Sequence, residues 1–146
     1  MDVLLWSDEM SVGNDILDND HKAFLSSVSL LRGSREDRMI VLSVIMLLEE
    51  YVDGHFLREE KAMKAANYPH LARHRLRHSW FRARIKAVSE VYQQGNDAVA
   101  DELPDLVAKW LRQHIIDEDK LYAHWVSRIT VDNRPLGLLA LEAEQS

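Results

Sequence analysis

The sequence predicts an all-α fold: an antiparallel, up-down-up-down four-helix bundle with an N-terminal arm and a C-terminal tail. Three observations lead to this prediction. Apolar residues recur every three or four positions in four long segments, as they do on one face of an α-helix. The connections between these segments are short, which makes sequential helices antiparallel neighbours. Strand-like alternation of apolar and polar residues is absent from the sequence.

The chain begins with an arm, residues 1–17, that we expect to pack onto the core through Trp6. The first helix is predicted to start near Asn19, because the side chain of Asp18 is a good N-cap. It is predicted to end at Gly33, since glycine commonly follows the last helical turn.

The second helix is predicted from about Arg35 to Ala66, and Pro69 then breaks the helical pattern. Gly54 interrupts the interior of this helix one residue before His55. Glycine in a helix interior costs about 1 kcal/mol relative to alanine. The position therefore indicates either close packing at Gly54 or a local loss of helix regularity.

The third helix is predicted over His70–Gln94 and the fourth over Glu102–Ile129. Pro104 is tolerated in the first turn of a helix, so the fourth N-cap is placed near Asp101. We therefore expect a single bundle domain over residues 1–129. Residues 130–146 form a tail, either an appendage that packs on the bundle or a linker to a downstream output domain.

Composition limits the classes of function. With 146 residues and 47% hydrophobic content, the chain can build one core. It has no cysteine, which excludes disulfides and thiolate metal sites, and its net charge of −6 argues against a nucleic-acid partner. Neither a signal peptide nor a segment long enough for membrane insertion is present in the sequence, so we expect a cytoplasmic protein.

Histidines and carboxylates fall on or near the predicted buried faces of all four helices. His55 and Glu59 lie four residues apart, about one helical turn, so both side chains project from one face. Taken alone, His55 with Glu59 is better explained as a surface hydrogen bond, His74 with His78 as part of a solvated basic face, and His114 as a satisfied core histidine. His21 alone could equally be an exposed residue or a ligand. A set of such residues on four helices is less easily explained by a separate structural role for each member. Helical bundles bind transition metals in their interiors through histidines and carboxylates. The candidates are His21, His55, Glu59, His74, His78, His114 and the acidic run Asp117-Glu118-Asp119.

Two enzyme classes lack their motifs here. Di-iron oxygenases and ferroxidases on four-helix bundles use Glu-x-x-His pairs, and no histidine of this chain has glutamate three residues before it. The His-Glu-x-x-His motif of zinc proteases is also absent from the sequence. The histidine-rich set therefore favours a binding protein over an oxygen-activating enzyme.

Several motifs occur in order along the chain: Trp6 with Ser11-Val-Gly13, Asp18-Asn-Asp-His21-Lys22, His55-Phe-Leu-Arg-Glu59-Glu60-Lys-Ala-Met63, Tyr68-Pro69, His74-x-x-x-His78, and Trp110-Leu-Arg-Gln-His114-Ile115 leading to Asp119. In these motifs the chain resembles the hemerythrin family in its bacterial form, over residues 6 to about 125. The family usually has glutamine before the first ligand histidine, whereas this chain has Asp20. The change is expected to alter the local electrostatics and removes no ligand.

The resemblance implies two iron ions (Fe²⁺/Fe³⁺) with a bridging oxygen. It also implies that Glu59 and Asp119 bridge the irons, with His74, His78 and His114 on one iron and His21 and His55 on the other. Helix geometry alone does not select Asp119, which lies about 140° around an ideal helix from His114. Glu118 would share the face of His114 better, and only the family pattern favours Asp119.

The implied ligand set leaves one iron five-coordinate, with an open position for a small ligand. In the resembled family that ligand is dioxygen, bound reversibly for transport, storage or delivery, and azide can take the same position in the oxidised form. The alternative is an oxygen- or redox-sensing domain of a larger signalling protein. An apolar pocket should line the open position, and its expected residues are Phe24, Leu25, Phe56, Trp110, Leu111 and Ile115.

Overall fold

The computed structural model of the chain describes residues 5–34 and 36–145, and within them every regular element is helical. The helices are α1 (Asp15–Gly33), α2 (Arg38–Ala65), α3 (Leu71–Gln93), α4 (Val99–His114), α5 (Lys120–Val126) and α6 (Leu136–Gln145), with a 3₁₀ turn at Asp8–Met10 and a π-helical turn at Ile115–Asp119. Helices α1 and α3 each pack against both α2 and α4, so that the four surround a common core. The predicted all-α bundle is confirmed.

The core consists of two apolar clusters at opposite ends of the bundle. The larger cluster contains Phe24, Phe56 and Leu111, and the smaller contains Leu17 and Tyr122. On each helix, the candidate metal-binding residues lie in the sequence between a residue of one cluster and a residue of the other. The fold therefore places these polar side chains in a layer between two apolar regions.

The N-terminal arm packs on the bundle largely as expected. Trp6 contacts the larger cluster, and Met10 is fully buried in it. The predicted start of α1 is wrong, because Asn14 rather than Asp18 caps the helix by accepting a hydrogen bond from the Leu17 amide at 3.1 Å. Asp18 instead connects the arm to α1. Its carboxylate accepts hydrogen bonds from the hydroxyl of Ser11 and from the backbone amide of Val12.

The predicted start of the fourth helix is also wrong, because α4 begins at Val99 and Ala98 is its cap residue. Its first turn is tightened by backbone hydrogen bonds to carbonyls three residues earlier, from Ala100 at 3.1 Å and Asp101 at 3.1 Å. Pro104 consequently lies in the second turn rather than the first. None of the described helices has the length and apolar content that crossing a membrane requires.

The C-terminal tail contains helix α6, which packs along α2 and buries Leu139 and Ala140. Gly54 makes this contact possible. A Cβ atom built there would lie 3.1 Å from the carbonyl carbon of Leu136 and closer still to its oxygen. Of the two readings that the sequence left open at Gly54, close packing is therefore the one observed, and α2 remains helical through the glycine.

We predict that Gly54→Ala destabilises the protein although alanine is the better helix former. The added methyl group has to displace the backbone of α6, and overpacking of this kind costs about 1–3 kcal/mol. Gly33→Ala is the matched control, since no atom of the described residues lies within 4 Å of the added Cβ. It should be neutral or stabilising by about 0.4–1 kcal/mol. Denaturant unfolding measures both. Equal stability of the two variants would show that Gly54 is not in a close contact.

Candidate metal centre

The polar layer between the two apolar clusters contains every residue predicted as a metal ligand. All are buried, and the most exposed of them, His114, has 5% of its surface accessible. Burial of so many imidazoles and carboxylates is costly unless the groups are paired or bind a cation. The residues are His21, His55, Glu59, His74, His78, His114 and Asp119.

The donor atoms of this layer form two groups that share a carboxylate. Within each group the atoms lie within 4.8 Å of one another. Glu59 belongs to both. The larger group is Glu59, His74, His78, His114 and Asp119, and the smaller is His21, His55 and Glu59.

The two oxygens of Asp119 face different groups. Oδ1 lies 2.9 Å from Nε2 of His74 and 3.0 Å from Nε2 of His114. Oδ2 lies 3.3 Å from Nε2 of His21, which belongs to the smaller group. The carboxylate thus spans the space between the two groups, as a bridging ligand must.

Glu59 occupies a comparable position from α2. Its Oε1 lies 3.3 Å from Nε2 of His55 in the smaller group and 3.3 Å from Nε2 of His78 in the larger. Its Oε2 accepts a hydrogen bond from the hydroxyl of Tyr122. Both acids that span the groups are therefore fully buried and held from two different helices.

The π-helical turn Ile115–Asp119 explains why Asp119, and not Glu118, faces the site. In a π-helix the hydrogen bonds run from residue i to i+5, so a five-residue step returns to nearly the same face. An α-helix would have turned Asp119 away from His114 by about 140°. Glu118 instead pairs with Arg73 of α3 at 2.9 Å. Such turns are rare and occur frequently at functional sites.

The lack of hydrogen-bond partners for several buried polar atoms of the layer indicates a cation-binding site. Buried polar atoms in proteins nearly always have hydrogen-bond partners. In this layer several buried nitrogen and oxygen atoms have no hydrogen-bond partner of acceptable geometry within the described chain, although these atoms lie close to one another. A neutral imidazole nitrogen and a carboxylate oxygen are both lone-pair donors, so a transition-metal ion would satisfy them together. The atoms of the layer without a partner among the described residues are Nδ1 of His21, Nε2 of His74, His78 and His114, Oε1 of Glu59 and both carboxylate oxygens of Asp119.

Two further carboxylates hold the outer nitrogens of the histidines. Oδ2 of Asp20 lies 2.8 Å from Nδ1 of His55, and Oε2 of Glu60 lies 2.9 Å from Nδ1 of His78. A proton on Nδ1 donated to a carboxylate leaves Nε2 free to bind a metal. Sequence reasoning noticed Asp20 only as a departure from a pattern and did not assign Glu60 or Tyr122. Helical spacing could have found Tyr122, which lies one turn beyond Asp119.

The electrostatics of the layer favour bound positive charge. Burial opposes protonation of His55, but the negative charges of Glu59 and Asp20 raise its pKa to about 10. For Glu59 and Asp119, burial favours the neutral acid, and yet the surrounding histidines hold the pKa of both carboxyls well below the usual range. Both acids are therefore anionic at neutral pH and attract positive charge.

The family model of the hemerythrin HHE cation binding domain matches residues 12–126. The chain belongs to the hemerythrin family. The family that the sequence motifs predicted is thus confirmed, and hemerythrins provide the comparison for the site.

Relatives and solved structures agree with this assignment. The bacteriohemerythrin of Stenotrophomonas maltophilia (strain R551-3) is 32% identical over 128 residues, covering 86% of this chain and 83% of that protein. The bacteriohemerythrin of Pseudomonas paraeruginosa (strain DSM 24068 / PA7) is 31% identical over 143 residues, covering 94% and 93%. A crystal structure of wild-type hemerythrin is similar with a TM-score of 0.79 and 25% identity, covering 84% of this chain and 97% of that one.

Aromatic rings pack directly against the histidines of the polar layer. The ring of Phe56 stacks on His78 with centroids 3.7 Å apart, and Trp110 stacks on His114 at 4.5 Å. Phe81, which sequence reasoning did not assign to the pocket, stacks on Trp110 at 3.7 Å. Trp110 is only partly buried. The other expected pocket residues, Phe24, Leu25, Leu111 and Ile115, all lie in the larger apolar cluster.

We predict that Asp119→Ala loses most of the bound metal, whereas Glu118→Ala and Asp117→Ala retain it. The Asp119→Ala substitution removes two donor oxygens, one facing each group, whereas the side chain of Glu118 is paired with Arg73 outside the layer. Elemental analysis of the three purified variants measures the effect. Metal retention in Asp119→Ala, together with metal loss in Glu118→Ala, would show that the other acid is the ligand.

Proposed function

We propose that this chain binds dioxygen reversibly at a pair of iron ions in the polar layer, for oxygen transport, storage or delivery. The observation that carries the proposal is the unequal division of the imidazoles: three lie in the group that contains Asp119, and two lie in the smaller group. With both carboxylates shared, one iron would have three imidazoles and two carboxylate oxygens, whereas the other would have two imidazoles and two carboxylate oxygens. The iron with fewer protein ligands would be the one to accept an external ligand.

In this proposal His74, His78 and His114 hold the first iron, and His21 and His55 hold the second. Glu59 and Asp119 bridge them, supported by the distances of their oxygens to both groups. Two ferrous ions held there would supply the electrons that bound dioxygen takes up and would recover them when dioxygen leaves.

The protein's own contribution is to keep water and protons away from the open position. Phe56, Leu111 and Ile115 are each at most 2% exposed and lie within one turn of proposed ligands. The hydroxyl of Tyr122 is already donated to Glu59. An apolar surround of this kind disfavours protonation of a reduced ligand, which supports reversible binding over oxygen activation.

The first prediction from this proposal concerns metal content. Protein made in iron-replete cells should contain about two irons per chain, because the two groups of donors suit two first-row ions. Elemental analysis of the purified protein, with protein mass from amino-acid analysis, gives the ratio. A single tightly bound zinc with no iron would disprove the di-iron centre.

The second prediction concerns the ligand. Mixing the reduced protein with dioxygen should produce a visible absorption band that disappears when oxygen is removed promptly, and azide should produce a band with the oxidised protein. His55→Ala should weaken or abolish both, since it removes one of two imidazoles from the binding iron. Stopped-flow and equilibrium absorption spectra measure this. Oxidation within the mixing time, without any reversible band in the unmutated protein, would disprove carriage.

Leu111→Ala tests the apolar pocket. It should retain both irons but admit water, so that the oxygenated protein decays to the oxidised form several-fold faster. Leu103→Ala is the matched control, because Leu103 is equally buried in the same helix and cluster, two turns further from His114. Both variants should lose about 2–5 kcal/mol of stability. Equal decay rates in the two would show that Leu111 does not protect the site.

An oxygen- or redox-sensing role within a larger signalling protein is the second candidate function. The observation that favours it is the position of helix α6, whose first residue, Leu136, contacts α2 at Gly54, next to His55. A reduced protein that dioxygen oxidises without reversible binding would favour this role over carriage.

A further inference from the structure

A buried series of contacts connects His55 to the C-terminal segment, defined here as residues 132–145. Oδ2 of Asp20 lies 2.8 Å from Nδ1 of His55. Nη1 of Arg58 donates to both carboxylate oxygens of Asp20 at 2.6 Å. Nη2 of Arg58 donates to the backbone carbonyl of Arg134. One guanidinium therefore joins the carboxylate that holds His55 to the backbone that leads into α6.

Arg58 is held in the interior rather than at the surface. It is 4% exposed, and Asp20 is 6% exposed. The charge of this guanidinium is paired with Asp20 and both of its terminal nitrogens donate hydrogen bonds, whereas Nε has no partner within the described chain. One terminal nitrogen, Nη1, contacts both oxygens of Asp20 and so restricts the orientation of that carboxylate. Without Arg58, the carboxylate of Asp20 would keep its contact with His55 but lose the group that orients it.

The C-terminal segment is held against α2 at two further points, one on each side of Arg58. At Gly54 the absence of a side chain lets the backbone of Leu136 approach α2. At Lys61 the ammonium group lies 2.8 Å from the carboxylate of Asp132. Gly54, Arg58 and Lys61 follow one another at about one-turn intervals on α2. The segment is thus seated along one side of the helix that carries His55 and Glu59.

We propose that Arg58 is a positioning residue for His55 and that the C-terminal segment completes the metal site by holding Arg58 in place. The proposal rests on the metal centre of the proposed function. With Asp20 oriented, the Nδ1 proton of His55 is held on the outer side of the ring and Nε2 is presented to the metal. Because such coupling is reciprocal, a metal bound at Nε2 strengthens the docking of the C-terminal segment.

Zinc titration tests the positioning role without depending on iron, oxygen or redox chemistry. In Arg58→Met the affinity for one of two zinc ions should fall about 10–100-fold. In the zinc-loaded unmutated protein, the Nδ1 proton of His55 should give a far-downfield NMR signal, which Arg58→Met should shift upfield. Arg82→Met is the control, since Arg82 pairs with Asp53 at 2.8 Å outside this series. Unchanged affinity and an unchanged proton signal in Arg58→Met would overturn the proposal.

The double variant Asp20→Asn with Arg58→Met covers the case in which Arg58→Met does not fold. It removes both charges, so no unpaired buried charge remains, and replacements of this kind are often neutral for stability. The loss of zinc affinity should persist, because the oriented carboxylate is absent. Full zinc affinity in this folded double variant would equally overturn the proposal.

The role of the C-terminal segment is tested through Gly54→Ala, which displaces the start of α6 while leaving Arg58 in the sequence. It should weaken zinc binding, whereas Gly33→Ala should not. Combined with Arg58→Met it should add nothing, because both changes interrupt the same contact. Hydrogen exchange should show zinc-dependent protection of α6 that Arg58→Met abolishes. Additive effects of the two substitutions, or α6 protection that is insensitive to zinc, would overturn the coupling.

Discussion

A layer of imidazoles and carboxylates lies between two apolar clusters, and burying it is the constraint on which the rest of this structure depends. Each of these groups loses water on folding, and several donor atoms find no hydrogen-bond partner within the described chain. The two apolar clusters provide the burial that offsets this cost. We therefore expect bound cations to stabilise the layer, because they would satisfy the lone pairs that the fold brings together.

The geometry of the layer requires one departure from regular helix. An α-helix places residues three or four apart on the same face, and His55 with Glu59 or His74 with His78 obey that spacing. His114 and Asp119 are five apart, and a π-helical turn between them brings the carboxylate back to the site. Irregular backbone thus appears where the donor atoms demand a spacing that the α-helix does not offer.

Orientation of the histidines comes from outside the layer. Asp20 and Glu60 each accept from the outer nitrogen of a different histidine, one in each group of donors. The contact at Asp20 continues through Arg58 to the C-terminal segment, and the contact at Glu60 continues to Arg75 at the surface. The two groups are consequently supported differently: one by a further part of the fold, and the other by an exposed ion pair.

Local patterns in the sequence determined the fold class, the approximate extent of the helices and the set of histidines, because helical periodicity and spacing are properties of neighbouring residues. Resemblance to a family supplied Asp119, which spacing disfavoured. The roles of Asp18, Glu60, Arg58 and Tyr122, the use of Gly54 as a seat for α6 and the π-helical turn were decided only by tertiary structure. Each of these depends on which groups from distant parts of the chain meet in the interior, and that is a matter of packing between helices rather than of order along one of them.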